Sequence, residues 1–135
     1  MRWVLRISEL WFLTIFIAFS AAFMNPSGLL GVDSELIRFS EASHWNEVLW
    51  VDARSSEEFQ KSRIPGAVLL NEENWNSGLD RFMLEWEPGM KIVVYCNSKE
   101  CGASSSVAQR LRAELAIQHI YVLEGGWPEW LAHQK

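Results

Sequence analysis

Cysteine is scarce in this 135-residue chain, which has two, Cys96 and Cys101. Two are too few for the cross-linked framework of a small secreted domain, so the fold must rest on a hydrophobic core. An excess of positive charge is also missing, because 12 Lys and Arg stand against 17 Asp and Glu, for a formal net charge of -5. Binding to a nucleic-acid backbone draws on a basic surface, and a net acidic one repels phosphates, so nucleic acid is excluded as a partner. The histidines, His44, His119 and His133, are scattered without metal-ligand spacing to the cysteines, and neither a metal nor any other cofactor is expected. The chain also has no glycine-rich nucleotide loop, no serine in a nucleophile elbow, no internal repeat and no low-complexity tract.

What is present is enough for one core. Hydrophobic residues make up 49% and charged residues 21% of the chain, a balance that a single folded domain of this length can bury. The N-terminus stands apart. Arg2 and Arg6 precede residues 10–24, which carry no charge, and the next Lys or Arg is Arg38. That order places the later residues outside the cytoplasm by the positive-inside rule. The apolar run is intermediate between a signal peptide and a spanning helix, and Ser20 and Ala22 have the spacing of a cleavage site before Phe23. Residues 1–24 are therefore expected to be a membrane anchor or a cleaved export signal, with a buried N-terminal helix of the domain disfavoured because the run is apolar on all faces. Residues 25–32 form a linker and residues 33–135 the domain, either tethered to the membrane or released outside the cytoplasm.

Within the domain, four short apolar runs, at residues 48–51, 67–70, 92–95 and 120–123, suit strands buried on both faces of a parallel sheet. Helical patterns lie around them. Ser34 is expected to cap a helix carrying Leu36, Ile37 and Phe39, and Ser55-Ser56-Glu57-Glu58 has the form of a capping box. Val107, Leu111 and Leu115 mark one buried stripe, and residues 75–89 are expected to form a helix and a loop. Trp50, Trp75, Phe82 and Trp86 are expected to pack rather than to form a binding box. Alternating strands and helices imply an α/β domain with a central, mostly parallel sheet flanked by helices.

Chemistry concentrates where the third run ends at Cys96. Ligands in open α/β sheets settle outside the carboxyl ends of strands, and a loop that leads into a helix can aim backbone N–H groups and the positive helix end at one sulfur. Both effects favour a thiolate. Cys101 admits three readings: a resolving partner for Cys96 in redox or sulfur transfer, half of a static local disulfide, or an inert packed residue.

Four markers in order resemble the rhodanese family: Val51-Asp52-Ala53-Arg54 with Glu58-Phe59; Arg63-Ile64-Pro65-Gly66-Ala67; Val94-Tyr95-Cys96; and Val122-Leu123-Glu124-Gly125-Gly126-Trp127-Pro128-Glu129-Trp130. The resemblance implies a rhodanese-like fold and a sulfurtransferase in which Cys96 takes a sulfane sulfur as a persulfide and passes it to a thiol or cyanide. Its partners would be a small sulfur donor and a thiol acceptor, with the membrane contacted through the N-terminal segment. The substrate-binding loop would be Asn97, Ser98, Lys99, Glu100 and Gly102. Asp52 and Arg54 are expected to form a structural anchor near the site, Pro65-Gly66 and Gly125-Gly126 to make turns, and Pro128 to open a short final helix.

One departure stands out. Cys101 occupies the place of the family's anion-binding Arg, which leaves Lys99 as the only loop cation, so turnover of thiosulfate is expected to be weak. Two rival functions remain: a thiol–disulfide redox protein using Cys96 and Cys101, and a catalytically silent binding module.

Overall fold

The computed structural model describes residues 35–98 and 102–135. Contacts divide the chain into Met1–Gly31 and Val32–Lys135, and the fold is that of the second unit. The expected signal or anchor and the linker lie outside the described residues. Among the described residues no helix is long and apolar enough to cross a membrane.

Strands and helices alternate along the domain: β1 (Glu35–Ile37), α1 (Phe39–Ala42), β2 (Val48–Asp52), α2 (Ser56–Lys61), β3 (Val68–Leu69), α3 (Trp75–Glu85), β4 (Lys91–Tyr95), α4 (Gly102–Leu115), β5 (Ile120–Leu123) and α5 (Gly126–Ala132). All strand pairs are parallel, in the order β1-β5-β4-β2-β3. The register sets Val51 beside Val94 and Asp52 beside Tyr95.

The central strands β2, β4 and β5 are covered on both faces, which is why they are mostly apolar rather than alternating with polar residues. Side chains still alternate between the two layers. Ile92, Val94 and Cys96 point into a core shared with Trp75, Phe82 and the α4 residues Val107, Ala108 and Leu111. Val93 and Tyr95 point into the opposite core, with Ile37, Ile64 and the partly buried Trp127 and Trp130. The expected stripe on α4 is present, and the expected aromatic packing holds, since Trp75 and Phe82 are buried and Trp50 and Trp86 pack against the cores.

The capping box forms as the residues predict. Glu58 N donates to Ser55 Oγ at 3.3 Å, and Ser55 N donates to Glu58 Oε2 at 3.1 Å. Three expectations need correction. Glu35–Ile37 is a strand rather than part of a Ser34-capped helix, because pairing with β5 and burial of Ile37 outweigh a local helical spacing. The helix begins only at Phe39, after Arg38. The run at 67–70 contributes only Val68–Leu69 to the ladder. Pro128 is the third residue of α5, which starts at Gly126; its missing N–H still falls among the first four amides, which have no acceptor within the helix.

Strand order reverses between β2 and β4. From β2 the chain steps to β3, whereas from β4 it steps to β5 on the other side. The carboxyl ends of β2 and β4 therefore flank the crevice where α/β sheets bind ligands.

Candidate active site at the end of β4

Cys96 is the first residue after β4 and continues its alternation into the core under α4, where it is 1% exposed. Its sulfur lies 3.5 Å from Ser104 Oγ and 3.6 Å from the carbonyl oxygen of Ser98. Ser104, itself 2% exposed, is the third residue of the fourteen-residue helix α4, so the contact sets the sulfur against the positive end of that helix. The sulfur is disulfide-bonded. With no S–H to give, it accepts from the Ser104 hydroxyl. Lys99, Glu100 and Cys101 lie outside the described residues, and Gly102 opens α4.

The backbone at Cys96 is held as firmly as its side chain. Trp127 N donates to the Cys96 carbonyl at 2.7 Å. This approach is so close that a Cβ on Gly126 would sit 2.4 Å from the same oxygen, and Gly126 also has φ of 62°. Only glycine satisfies both conditions. Beyond Cys96, Asn97 Nδ2 donates to Glu58 Oε1 at 2.7 Å and ties the loop to the first turn of α2. Hydrogen bonds from Ser55 and then from Asn97 hold the Glu58 carboxyl below its ordinary pKa, against a smaller opposing effect of burial.

Beneath the loop lies a buried polar network. Arg54 grips the Asp52 carboxylate through Nε, at 3.0 and 3.1 Å to its two oxygens, and through Nη2 at 2.7 Å. Arg54 N and the Tyr95 hydroxyl also donate to it, at 2.9 and 2.7 Å. The second bond of Arg54 Nη2 goes to the Ser62 carbonyl at 2.6 Å, and its guanidinium lies 4.2 Å from the centre of the Trp127 ring. Burial works against the Arg54 charge, but the Asp52 hydrogen bonds and charge overcome it and raise the pKa. Burial, then the Asp52 charge, pushes the Tyr95 hydroxyl far up, so it remains a donor. The Asp52 and Arg54 side chains are 0% and 4% exposed. This Arg is committed to Asp52 on β2, to the Ser62 carbonyl and to the faces of Tyr95 on β4 and Trp127 on α5.

Ser104, Glu58 and Gly126 join the site without having been singled out for it in the sequence. Ser104 sits in a run of three serines that offers no cue to the one facing inward. Glu58 carries a visible capping signal, and its bond to Asn97 is a tertiary addition. Arrangement of a sulfur at a strand end, a hydroxyl donor and a helix N-terminus is suited to stabilising a thiolate once the disulfide is reduced.

Known proteins agree with this geometry. The rhodanese-like domain family model matches residues 36–133. The chain is 31% identical over 97 residues to the thiosulfate sulfurtransferase GlpE of Shewanella oneidensis, covering 72% of this chain and 86% of that protein. It is 29% identical over 86 residues to GlpE of Pseudoalteromonas translucida, covering 64% and 75%. Among solved structures, the BH2092 protein of Bacillus halodurans superposes with a TM-score of 0.61 at 20% identity, over 75% of this chain and 74% of that one. A rhodanese-related protein of Thermoplasma volcanium gives 0.56 at 18% identity, over 73% and 92%. The sheet order, the β4 cysteine and these similarities converge: the chain belongs to the rhodanese-like domain family.

Proposed function

We propose that this domain is a sulfurtransferase that carries sulfane sulfur as a persulfide on Cys96. The observation that carries the reading is the position of the Cys96 sulfur, at the end of β4, bonded by Ser104 in the first turn of α4. Reduction of its disulfide by an external thiol releases the thiolate, which the helix end and the Ser104 hydroxyl stabilise. The thiolate attacks the outer sulfur of the donor. With thiosulfate, a new Sγ–S bond forms, the donor S–S bond breaks, and sulfite leaves with the electron pair. An acceptor thiolate then removes the outer sulfur and regenerates the Cys96 thiolate. Thiosulfate is a poor donor in this reading, because Cys101 stands where the family has Arg and Arg54 is occupied by Asp52.

A second reading has one observation in its favour. Cys96 is disulfide-bonded, and a thiol–disulfide redox protein using Cys96 and Cys101 would cycle through that state without a sulfur donor. Intact mass separates the two. A reduced chain incubated with mercaptopyruvate under exclusion of oxygen gains one sulfur if it is a sulfurtransferase, and stays reduced and unchanged in mass if it is a redox protein, which re-forms its disulfide only when a disulfide oxidant is added. The domain acts outside the cytoplasm in this account, on the strength of Arg2 and Arg6 ahead of the apolar run. A reporter fused after Lys135 tests that orientation, and activity of the reporter in the cytoplasm would contradict it.

A further inference from the structure

We propose that Glu58 is a positioning residue for sulfur uptake: through Asn97 it fixes the segment that follows Cys96, so the Asn97 side chain serves the scaffold rather than the sulfur donor. The proposal rests on the persulfide reading. The two oxygens of the Glu58 carboxylate have separate partners. Oε2 accepts from Ser55 Oγ at 2.8 Å and from Ser55 N at 3.1 Å, which holds the carboxylate at the first turn of α2. Oε1 accepts from Asn97 Nδ2 at 2.7 Å. The capping box thus orients the acceptor that the sulfur-bearing segment uses, 39 positions further along the chain.

The neighbours of Asn97 show why its position matters to the sulfur. On one side the Cys96 carbonyl accepts from Trp127 N at 2.7 Å. On the other, Ser98 N lies 3.2 Å from where a Cβ on Gly126 would sit, and the Ser98 carbonyl oxygen lies 3.6 Å from the Cys96 sulfur. Asn97 itself is exposed, and each residue of such a segment keeps two soft backbone dihedrals unless something restrains them. A charge-assisted hydrogen bond to a carboxylate already fixed on a helix supplies that restraint. It sets the direction of the Ser98 peptide against the sulfur before the donor arrives, which spares that ordering in the transition state. The tether does not involve the sulfur, so reduction of the disulfide leaves its donor and acceptor in place.

The step it acts on is the attack of the Cys96 thiolate on the donor sulfur. With mercaptopyruvate, an Sγ–S bond forms, the donor C–S bond breaks, and pyruvate leaves as its enolate and takes a proton from solvent. Glu58 exchanges no proton or electron in this step. Its effect therefore falls on the rate of uptake at saturating donor, with the half-saturating donor concentration little changed.

The test is a double-mutant cycle on the reduced full chain, with sulfur uptake from mercaptopyruvate followed by intact mass under exclusion of oxygen. Asn97→Ala and Glu58→Ala should each slow uptake at saturating donor roughly three- to tenfold, the worth of one hydrogen bond. The double variant should be no slower than the slower single one. Ser55→Ala removes a cap bond and leaves the tether, so it should lower the denaturant midpoint without a matching loss of rate. Additive losses in the double variant, a loss confined to the half-saturating donor concentration, or a loss in Ser55→Ala as large as in Asn97→Ala would each overturn the proposal. If wild-type Cys96 takes up no sulfur, the persulfide reading fails separately, and the same four variants are compared by the rate at which iodoacetamide alkylates reduced Cys96, resolved by peptide mass. Non-additive slowing there would support the tether, and additive slowing or none would reject it.

Discussion

The Trp127 amide donates to the Cys96 carbonyl at 2.7 Å, which locks the turn before α5 onto the residue that ends β4. Trp127 also lies beneath the Arg54 guanidinium, so one residue joins the sulfur's backbone to the buried ion pair. The Cys96 sulfur is thus held by its chain neighbours on β4, by Ser104 from α4 and by the start of α5.

Gly126→Ala tests this lock. Its Cβ would lie 2.4 Å from the Cys96 carbonyl, on a backbone with φ of 62°. The substitution should destabilise the domain by about 3 kcal/mol, read from denaturant midpoints, and slow sulfur uptake by Cys96 under conditions where the fold is intact. A fully stable and active variant would show that the turn does not constrain the site.

Ser104→Ala removes the hydroxyl that the sulfur accepts from. The thiolate then loses a charge-assisted donor, so the Cys96 pKa should rise by about one unit. The alkylation rate of the reduced chain as a function of pH would show its midpoint moving up. An unchanged midpoint would assign thiolate stabilisation to the helix end and backbone alone.

Asp52→Asn leaves Arg54 buried against a neutral partner. Breaking a buried pair in this way costs about 3 to 5 kcal/mol, so thermal unfolding should shift strongly downward. Because Arg54 is committed to Asp52 and the Ser62 carbonyl, the folded fraction should keep the wild-type preference among sulfur donors. A changed donor preference at full stability would give Arg54 a substrate role that its geometry does not suggest.

The Glu58 carboxyl contributes to acid sensitivity. Its folded pKa lies below the ordinary value because Ser55 and Asn97 donate to it, so its stabilising contribution is present above the unfolded pKa and lost as pH falls through the folded one. Glu58→Gln should flatten the fall in stability on acidification below the ordinary carboxylate range, measured as denaturant midpoint against pH. An unchanged slope would mean that these hydrogen bonds form equally well with the protonated acid.

Much of this arrangement is legible in the sequence because it depends on local patterns. The apolar runs at 48–51, 92–95 and 120–123 are long enough to declare buried strands, and Ser55 and Glu58 declare a helix start. β1 is not legible, since three residues become a strand only by pairing with β5, which follows some eighty-five positions later at Glu35↔Tyr121. The site divides in the same way. Cys96 is evident at the end of a strand, while its contact with Ser104 depends on how α4 seats on the sheet, and the bond between Asn97 and Glu58 joins residues that no single motif contains.

The most direct measurement of the central claim is the intact mass of the reduced full chain after exposure to polysulfide and removal of excess donor, compared with Cys96→Ser. The account predicts a gain of one sulfur on the wild-type chain, removable by a thiol, and none on Cys96→Ser. The same gain on both proteins, or none on the wild type after complete reduction, would contradict Cys96 as the carrier of sulfane sulfur.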